Sequence, residues 1–174
     1  MFAVLLLACT PTALEDDSGP AGTGDDSAAP VVWPALFINE FMASNRSTLQ
    51  DGTGAWPDWV ELYNPGDVDV DLDGWTMTDT LEDPDQHRLE ALTVPAAGFL
   101  VLFADSDPEE GPDHLDFSLA SEGEALGLFA PDGQPLQQIR FDTQVTDHSA
   151  ARETDGGELW VITDAPTPGG SNTP

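Results

Sequence analysis

From residue 33 onward, short apolar or alternating segments are separated by turn residues, and this pattern strongly limits the folds available to the chain. No window of a dozen residues sustains the 3.6-residue period of a helix, and no βαβ spacing is present. The pattern therefore predicts an all-β, antiparallel sandwich or barrel. The strand-length segments are 35–41, 58–64, 68–72, 75–79, 98–104, 124–130 and 135–141.

The tetrapeptide 131–134, PDGQ, predicts a hairpin between the last two segments, because Gly133 can supply the positive φ of a tight turn. Asn39, Asn64 and Gly74 are expected at strand ends or bends, where Asn can bond the local backbone and Gly avoids a Cβ clash. Alternation places a set of apolar side chains in the core. These are Leu62, Trp75, Leu100, Leu102, Leu126, Leu128 and Ile139.

The first eight residues are apolar and end at Cys9, the only cysteine. This run is shorter than the about 20 residues of a transmembrane helix and closer to a secretory apolar region. The sequence LLAC at 6–9 resembles the lipobox of bacterial lipoproteins, in which the cysteine carries acyl chains. Residues 1–9 are therefore predicted to be a lipoprotein signal peptide, and Thr10 after the cysteine implies the outer membrane.

Residues 10–32 are predicted to be a disordered acidic tether. They contain five carboxylates, no cation and few large apolar side chains, so burial cannot offset the entropy of ordering.

The whole chain carries 33 acidic and 4 basic residues, with a formal net charge of -29. Nucleic acid is excluded as a partner, because phosphate binding depends on Lys and Arg.

Seven motifs occur in a characteristic order along the folded part. They are INEFMASN (38–45), DWVELYNPG (58–66), VDLDGWTMTD (70–79), LTVPAAGFLVLFAD (92–105), the run 116–141, Arg152 with DGGELW (155–160), and PTPGGSN (166–172). Together they resemble the bacterial lamin-tail domain. The resemblance implies an immunoglobulin-like β-sandwich over 33–174. It also implies a non-catalytic targeting or adhesion module of secreted and surface proteins.

Carboxylates cluster in two predicted loops, and either could supply the oxygen ligands of Ca²⁺. The first set is Asp79, Glu82, Asp83 and Asp85, and the alternative set is Asp105, Asp107, Glu109 and Glu110, with Asp113 nearby. The run 69–74, DVDLDG, matches the first half of an EF-hand loop, but Thr80 stands where the closing Glu would be. A solvated strand face is the better interpretation of that run.

Catalytic motifs are weak. His87, His114 and His148 are expected to be exposed loop residues, and neither H-E-x-x-H nor G-x-S-x-G occurs. Three tryptophans near loops, Trp33, Trp56 and Trp59, are candidate ligand contacts for sugars or apolar partner surfaces. Alternatively, Trp56 and Trp59 cap the core and Trp33 packs the incoming chain.

The leading functional hypothesis is therefore a non-catalytic surface lipoprotein, exported and anchored through Cys9. Its folded domain would bind an envelope polysaccharide or a surface protein, in an adhesion or scaffolding role. The alternatives are a calcium-binding structural domain with acidic loops and an unrecognised hydrolase.

Overall fold

The computed structural model describes residues 31–172, and the residues from Trp33 onward form one compact unit. The predicted signal peptide with Cys9, and all of the predicted tether except residues 31 and 32, lie outside the described residues. Within the described range the regular structure is entirely β, and no helix there is long and apolar enough to cross a membrane.

Twelve strands follow one another among the described residues. They are β1 (Phe37–Met42), β2 (Asp58–Asn64), β3 (Val70–Asp71), β4 (Thr76–Thr78), β5 (His87–Arg88), β6 (Thr93–Val94), β7 (Gly98–Ala104), β8 (His114–Leu115), β9 (Ala125–Phe129), β10 (Pro135–Arg140), β11 (Ser149–Arg152) and β12 (Trp160–Thr163).

The strands form a β-sandwich, as the sequence predicts. One sheet has the order β12-β11-β1-β2-β7-β8, the second has the order β10-β9-β4-β5, and β3 pairs with β6 separately. Both large sheets contribute side chains to a single buried apolar cluster. All pairings between strands are antiparallel except β7 with β8, which is parallel.

The seven predicted core residues all belong to this interior. Five of them are buried, and Leu100 and Ile139 are partly buried and packed against the cluster. Trp75 is among the largest fully buried side chains, so its indole fills much of the space between the sheets.

The long strands and the hairpin are confirmed. Segments 58–64 and 98–104 coincide with β2 and β7, and β9 pairs with β10 across the turn in which Gly133 has a φ of 81°. The short strands β5, β6 and β8, and the later strands β11 and β12, were not among the predicted segments.

Asn39 differs from its predicted role. It lies inside β1 at a β-bulge between Ile38 and Glu40, not at a strand end, and its buried amide bonds other side chains. A bulge re-aims a side chain that regular alternation would place elsewhere. Asn64 does bond the local backbone, accepting from Gly66 N–H at 2.9 Å, and Gly74 has a φ of 85°.

Gly133 offers a test of the hairpin. We expect Gly133→Ala to lower the free energy of unfolding by about 1–2 kcal/mol, because alanine is strained at positive φ. The space around a Cβ at this position is open, so no clash contributes to the loss.

Gly52→Ala is the matched control, because a Cβ there also meets open space and Gly52 has no positive φ. Urea unfolding should show little change for this control. Equal losses in the two variants would contradict the turn geometry.

Candidate functional site

Two acidic side chains are completely buried on the large sheet. Glu40 on β1 and Glu61 on β2 are direct Cα partners. Val60 and Leu62, which flank Glu61 in sequence, belong to the core, so alternation directs Glu61 to the opposite, outer face of the sheet. A buried carboxylate is stable only when hydrogen-bond donors surround it.

The donors to Glu40 come from β11 and from the closing segment 166–172. The Ser149 hydroxyl donates to Oε1 of Glu40. The N–H and the hydroxyl of Thr167 both donate to Oε2, at 3.0 and 3.1 Å. Glu40 therefore links strand β1 to two segments that are distant from it in sequence.

Glu61 is satisfied in the same way. Its Oε1 accepts from Nδ2 of Asn39 at 3.0 Å, and its Oε2 accepts from Gly169 N–H at 2.6 Å. Oδ1 of Asn39 accepts in turn from Gly156 N–H at 3.1 Å. The bulge in β1 thus aims Asn39 at both the neighbouring strand and the turn after β11.

Asp155 and Asn172 fasten the end of the closing segment. Oδ1 of Asp155 accepts from Asn172 N–H at 2.9 Å and from Nδ2 of Asn39 at 3.1 Å. Nδ2 of Asn172 donates to the carbonyl oxygens of Asn39 and Arg152, at 3.2 and 2.9 Å. Segment 166–172 is consequently bound to the outer face of the sheet through several independent bonds.

Arg152 joins the two sheets. Its Nε donates to the Ile38 carbonyl at 2.8 Å, and its NH2 group donates to Oε1 of Gln137 on β10 at 2.7 Å. The guanidinium carbon lies 4.6 Å from the Trp160 ring centroid and 5.4 Å from that of Phe37. Burial lowers the pKa of Arg152, and the two aromatic faces stabilise the cation by cation–π attraction.

Among residues 31–172, no salt bridge joins Glu40, Glu61 or Asp155 to a cation. Burial raises the pKa of Glu61 to about 7, and the nearby charges of Glu40 and Asp155 add to the rise. The pKa of Glu40 is raised by burial and by Asp155, although its hydroxyl and N–H donors oppose that shift. This network has the properties of a structural closure, because its buried carboxylates tie β1 and β2 to segments that are distant in sequence.

A pocket lies at the start of the folded part. It has a volume of about 540 Å³. The half-buried ring of Trp33 and the buried ring of Trp75 form part of its wall, with their centroids 5.7 Å apart in an edge-to-face arrangement. Val68, which is 70% exposed, lies at the rim. We call this feature the Trp33 pocket, and its acidic lining residues are Asp67, Asp69 and Asp71.

The other two candidate tryptophans differ from each other. Trp56 is 40% exposed and lines a pocket of about 300 Å³ with Asp105 and Glu110. Trp59 is completely buried on β2 opposite Phe103, so it presents no surface to a ligand. That part of the prediction was wrong, because Trp59 lies on an outer face that is itself covered.

The first acidic loop is not gathered around one point. Glu82 pairs with Arg140 at 3.6 Å, and Asp79 accepts from the Thr80 hydroxyl at 3.0 Å. Within 31–172, the side chains of Asp79, Glu82, Asp83 and Asp85 do not form a group of converging metal ligands. Calcium binding there stays a prediction.

The run 69–74 behaves as a solvated strand and turn. Oδ1 of Asp69 accepts from Ala96 N–H at 2.8 Å, and Oδ1 of Asp71 accepts from Asp73 N–H at 3.0 Å. These exposed carboxylates accept from backbone N–H groups and do not converge on one point.

The second acidic loop does converge, but with a histidine. Ligand atoms of Asp105, Glu110 and His114 all lie within 4.8 Å of one another, whereas Asp107 and Glu109 are not members of this group. The sequence analysis had placed the carboxylates in one loop but had not joined His114 to them.

The histidines are less exposed than expected. His114 is 5% exposed because β8 inserts it beside β7, and His87 is partly buried on β5, with Nδ1 3.4 Å from the Asp116 carboxylate. His148 is partly buried in a loop, with Nδ1 3.1 Å from the Thr146 carbonyl. The expectation of exposed loop histidines was therefore wrong for His114 and for His87, which lies on β5 with its side chain 11% exposed.

Comparison with known families returns one match. The family model described as Lamin Tail Domain matches residues 33–143, which is more than half of the chain. No curated protein and no solved structure matches. Strands β11 and β12 follow the matched region but complete the same sheet, and segment 166–172 bonds the outer face of that sheet.

The raised pKa of Glu61 predicts a pH dependence of stability. Between pH about 4.5 and 7 the folded state binds more protons than the unfolded state, so the free energy of unfolding falls as pH rises. A shift to about 7 corresponds to about 3 kcal/mol over this range. Glu61→Gln should remove most of that contribution, as measured by urea unfolding at constant ionic strength.

Asp58, whose pKa burial raises to about 6, and Glu40, whose pKa burial also raises, will leave a smaller slope in the Glu61→Gln variant. Glu109→Gln is the control, because Glu109 is exposed and should leave the pH profile unchanged. An unaltered slope in Glu61→Gln would refute the assignment.

Proposed function

Because the chain belongs to the lamin tail domain family, a non-catalytic structural family with an immunoglobulin-like fold, we propose that it is the binding module of an exported surface lipoprotein. The proposal has two parts. The bacterial chain is anchored to the membrane through Cys9, and the folded domain binds an envelope polysaccharide in the Trp33 pocket. It acts in adhesion or scaffolding and not in catalysis.

The anchor is supported by the first residues of the sequence. An apolar run ends in LLAC at 6–9, and the acidic, cation-free segment that follows suits a tether between membrane and domain. Acyl chains on Cys9 would each contribute about 0.8 kcal/mol per buried methylene, so two or more chains would hold the protein stably. These features favour the outer membrane or cell surface.

The Trp33 pocket is the observation that carries the binding proposal. A pocket of about 540 Å³ can accommodate a few sugar rings, and an indole wall packs against the apolar faces of such rings. The carboxylates at the rim can accept hydrogen bonds from sugar hydroxyl groups. The pocket therefore combines an apolar wall with polar groups that fix orientation.

Charge narrows the class of polysaccharide. A domain within a chain of net charge -29 repels phosphate-rich or carboxylate-rich polymers at moderate salt. A neutral or amino-sugar polymer avoids this repulsion. A surface protein remains the alternative partner.

Val68 provides the test of the pocket. We expect the protein to co-sediment saturably with a purified, protease-treated neutral envelope polysaccharide. Val68→Ser should weaken this binding about fivefold, because a rim contact worth about 1 kcal/mol is lost. Val68 is 70% exposed, so the variant should keep its melting temperature.

Val145→Ser is the matched control, since Val145 is 58% exposed and lies outside the pocket. Equal affinities for the two variants would exclude the pocket. Binding that appears only with untreated envelope and vanishes after protease digestion would replace the polysaccharide by a surface protein.

Cys9 provides the test of the anchor. In a Gram-negative host, Cys9→Ser should move the protein from the detergent-soluble membrane fraction to the soluble fraction, because no thiol is left to accept lipid. Mass spectrometry should detect acyl chains on the protein with Cys9 and none on the Cys9→Ser variant. Ser27→Ala, a change in the tether that follows Cys9, should not alter fractionation, and a membrane-bound Cys9→Ser protein would contradict lipidation.

A further inference from the structure

Three metal-ligating side chains meet at the end of β7, and none of them lines the Trp33 pocket. Nδ1 of His114 lies 2.7 Å from Oδ2 of Asp105 and 3.8 Å from Oε2 of Glu110. Among residues 31–172 this is the one group of three such side chains whose ligand atoms converge. Its nitrogen donor is buried, while Glu110 reaches it from the exposed side of the loop.

The backbone fixes both ends of this loop on the same strand. Asp105 follows β7 directly and forms an antiparallel bridge with Ser118. His114 opens β8 in parallel register with Phe103, and the two rings lie 5.1 Å apart. The φ of 64° at Ser106 turns the chain outward between these two points. Asp105 and His114 are therefore held in place without help from a ligand.

The turn inside the loop returns Glu110 to the same place. Its N–H donates to the Asp107 carbonyl at 3.1 Å, and His114 N–H donates to the Gly111 carbonyl at 3.1 Å. The three side chains converge because of a defined turn, not because acidic residues are abundant.

A single proton cannot satisfy all three of these side chains. A neutral imidazole can carry one proton on Nδ1, and that proton can bond only one of the two carboxylates. Loop 105–113 contains five carboxylates and no Arg or Lys. Within the described range no arginine pairs with Asp105 or Glu110, and Arg88, which shares a neighbouring pocket with His114, pairs with Glu90 at 3.6 Å. A divalent cation can accept one donor from all three side chains at once.

We propose that Asp105, Glu110 and His114 bind one divalent first-row transition-metal ion, with His114 coordinating through Nδ1. The donor set decides the class of metal. One imidazole nitrogen with two carboxylates suits Zn²⁺ and its neighbours, whereas Ca²⁺ takes six to eight oxygen ligands. The site is thus distinct from a calcium site built of loop carboxylates.

The metal site would give the domain a second binding function, separate from the proposed polysaccharide binding. Three protein ligands leave a fourth position of a tetrahedral ion for water or an external donor. Asp105 and Glu110 also line the pocket of about 300 Å³ that contains Trp56. An external group bound to the metal would therefore lie beside an exposed indole.

The experiment is a calorimetric Zn²⁺ titration of the purified protein in the Cys9→Ser background, which removes a competing thiol ligand. One Zn²⁺ per chain is expected. Glu110→Gln should weaken binding at least tenfold, and Co²⁺ should give a visible spectrum that Glu110→Gln diminishes. Zn²⁺ at about 100 times its dissociation constant should raise the melting temperature by about 5–10 °C.

Glu109→Gln is the matched control, because it removes the same charge from the same loop at an exposed residue outside the group. Asp105→Asn and His114→Gln should weaken Zn²⁺ binding in the same way, provided that both variants keep the melting temperature of the metal-free protein. If either variant is destabilised, the comparison of Glu110→Gln with Glu109→Gln decides the outcome. Two results would overturn the proposal: equal weakening of Zn²⁺ binding by Glu109→Gln and Glu110→Gln, or stabilisation by Mg²⁺ and Ca²⁺ equal to that by Zn²⁺ at constant ionic strength. Either result would mean that an acidic surface attracts cations without a specific site.

Discussion

Burial of Glu40 and Glu61 on the outer face of the large sheet is the constraint on which the rest of the domain depends. Each carboxylate removed from water requires donors, and most of those donors belong to segments far along the chain. Thr167 and Gly169 supply backbone N–H groups, and Ser149 supplies a hydroxyl. The sheet is therefore covered on both faces at this end, by apolar packing inside and by hydrogen bonds outside.

The sequence analysis recovered the parts of the fold that local pattern encodes. β2 and β7 are apolar or alternating runs of seven residues each, and the turn at Gly133 carries its own φ requirement. Strand β8 contains two residues, too few for a period, and it exists because His114 is inserted beside β7. β11 reads SAAR, in which small side chains give no hydrophobic signal, and it becomes a strand by pairing with β1.

In the candidate sites, too, the sequence analysis recovered what local pattern encodes and missed what depends on pairing between distant segments. The carboxylates of loop 105–113 could be predicted from composition, but the contribution of His114 could not, since it depends on a parallel pairing. Glu61 alternates with Val60 and Leu62, which is the pattern of an exposed acid on an amphipathic strand. Trp59 shares that outward direction. Trp59 was misjudged as a ligand contact because local pattern does not show that the outer face is covered: Gly169 bonds Glu61 on that face, and Trp59 is completely buried.

The position of β1 also bears on how the domain can be made. It is the first strand among residues 31–172, yet it lies between β2 and β11, and its Glu40 bonds Ser149, 109 residues later. During synthesis its second edge stays open until nearly the whole sequence has emerged. Such an edge invites pairing with other chains, and closure through distant segments slows folding. Of the described strands, β1 is synthesised first, and its edge must consequently be kept from pairing with other chains for the longest time.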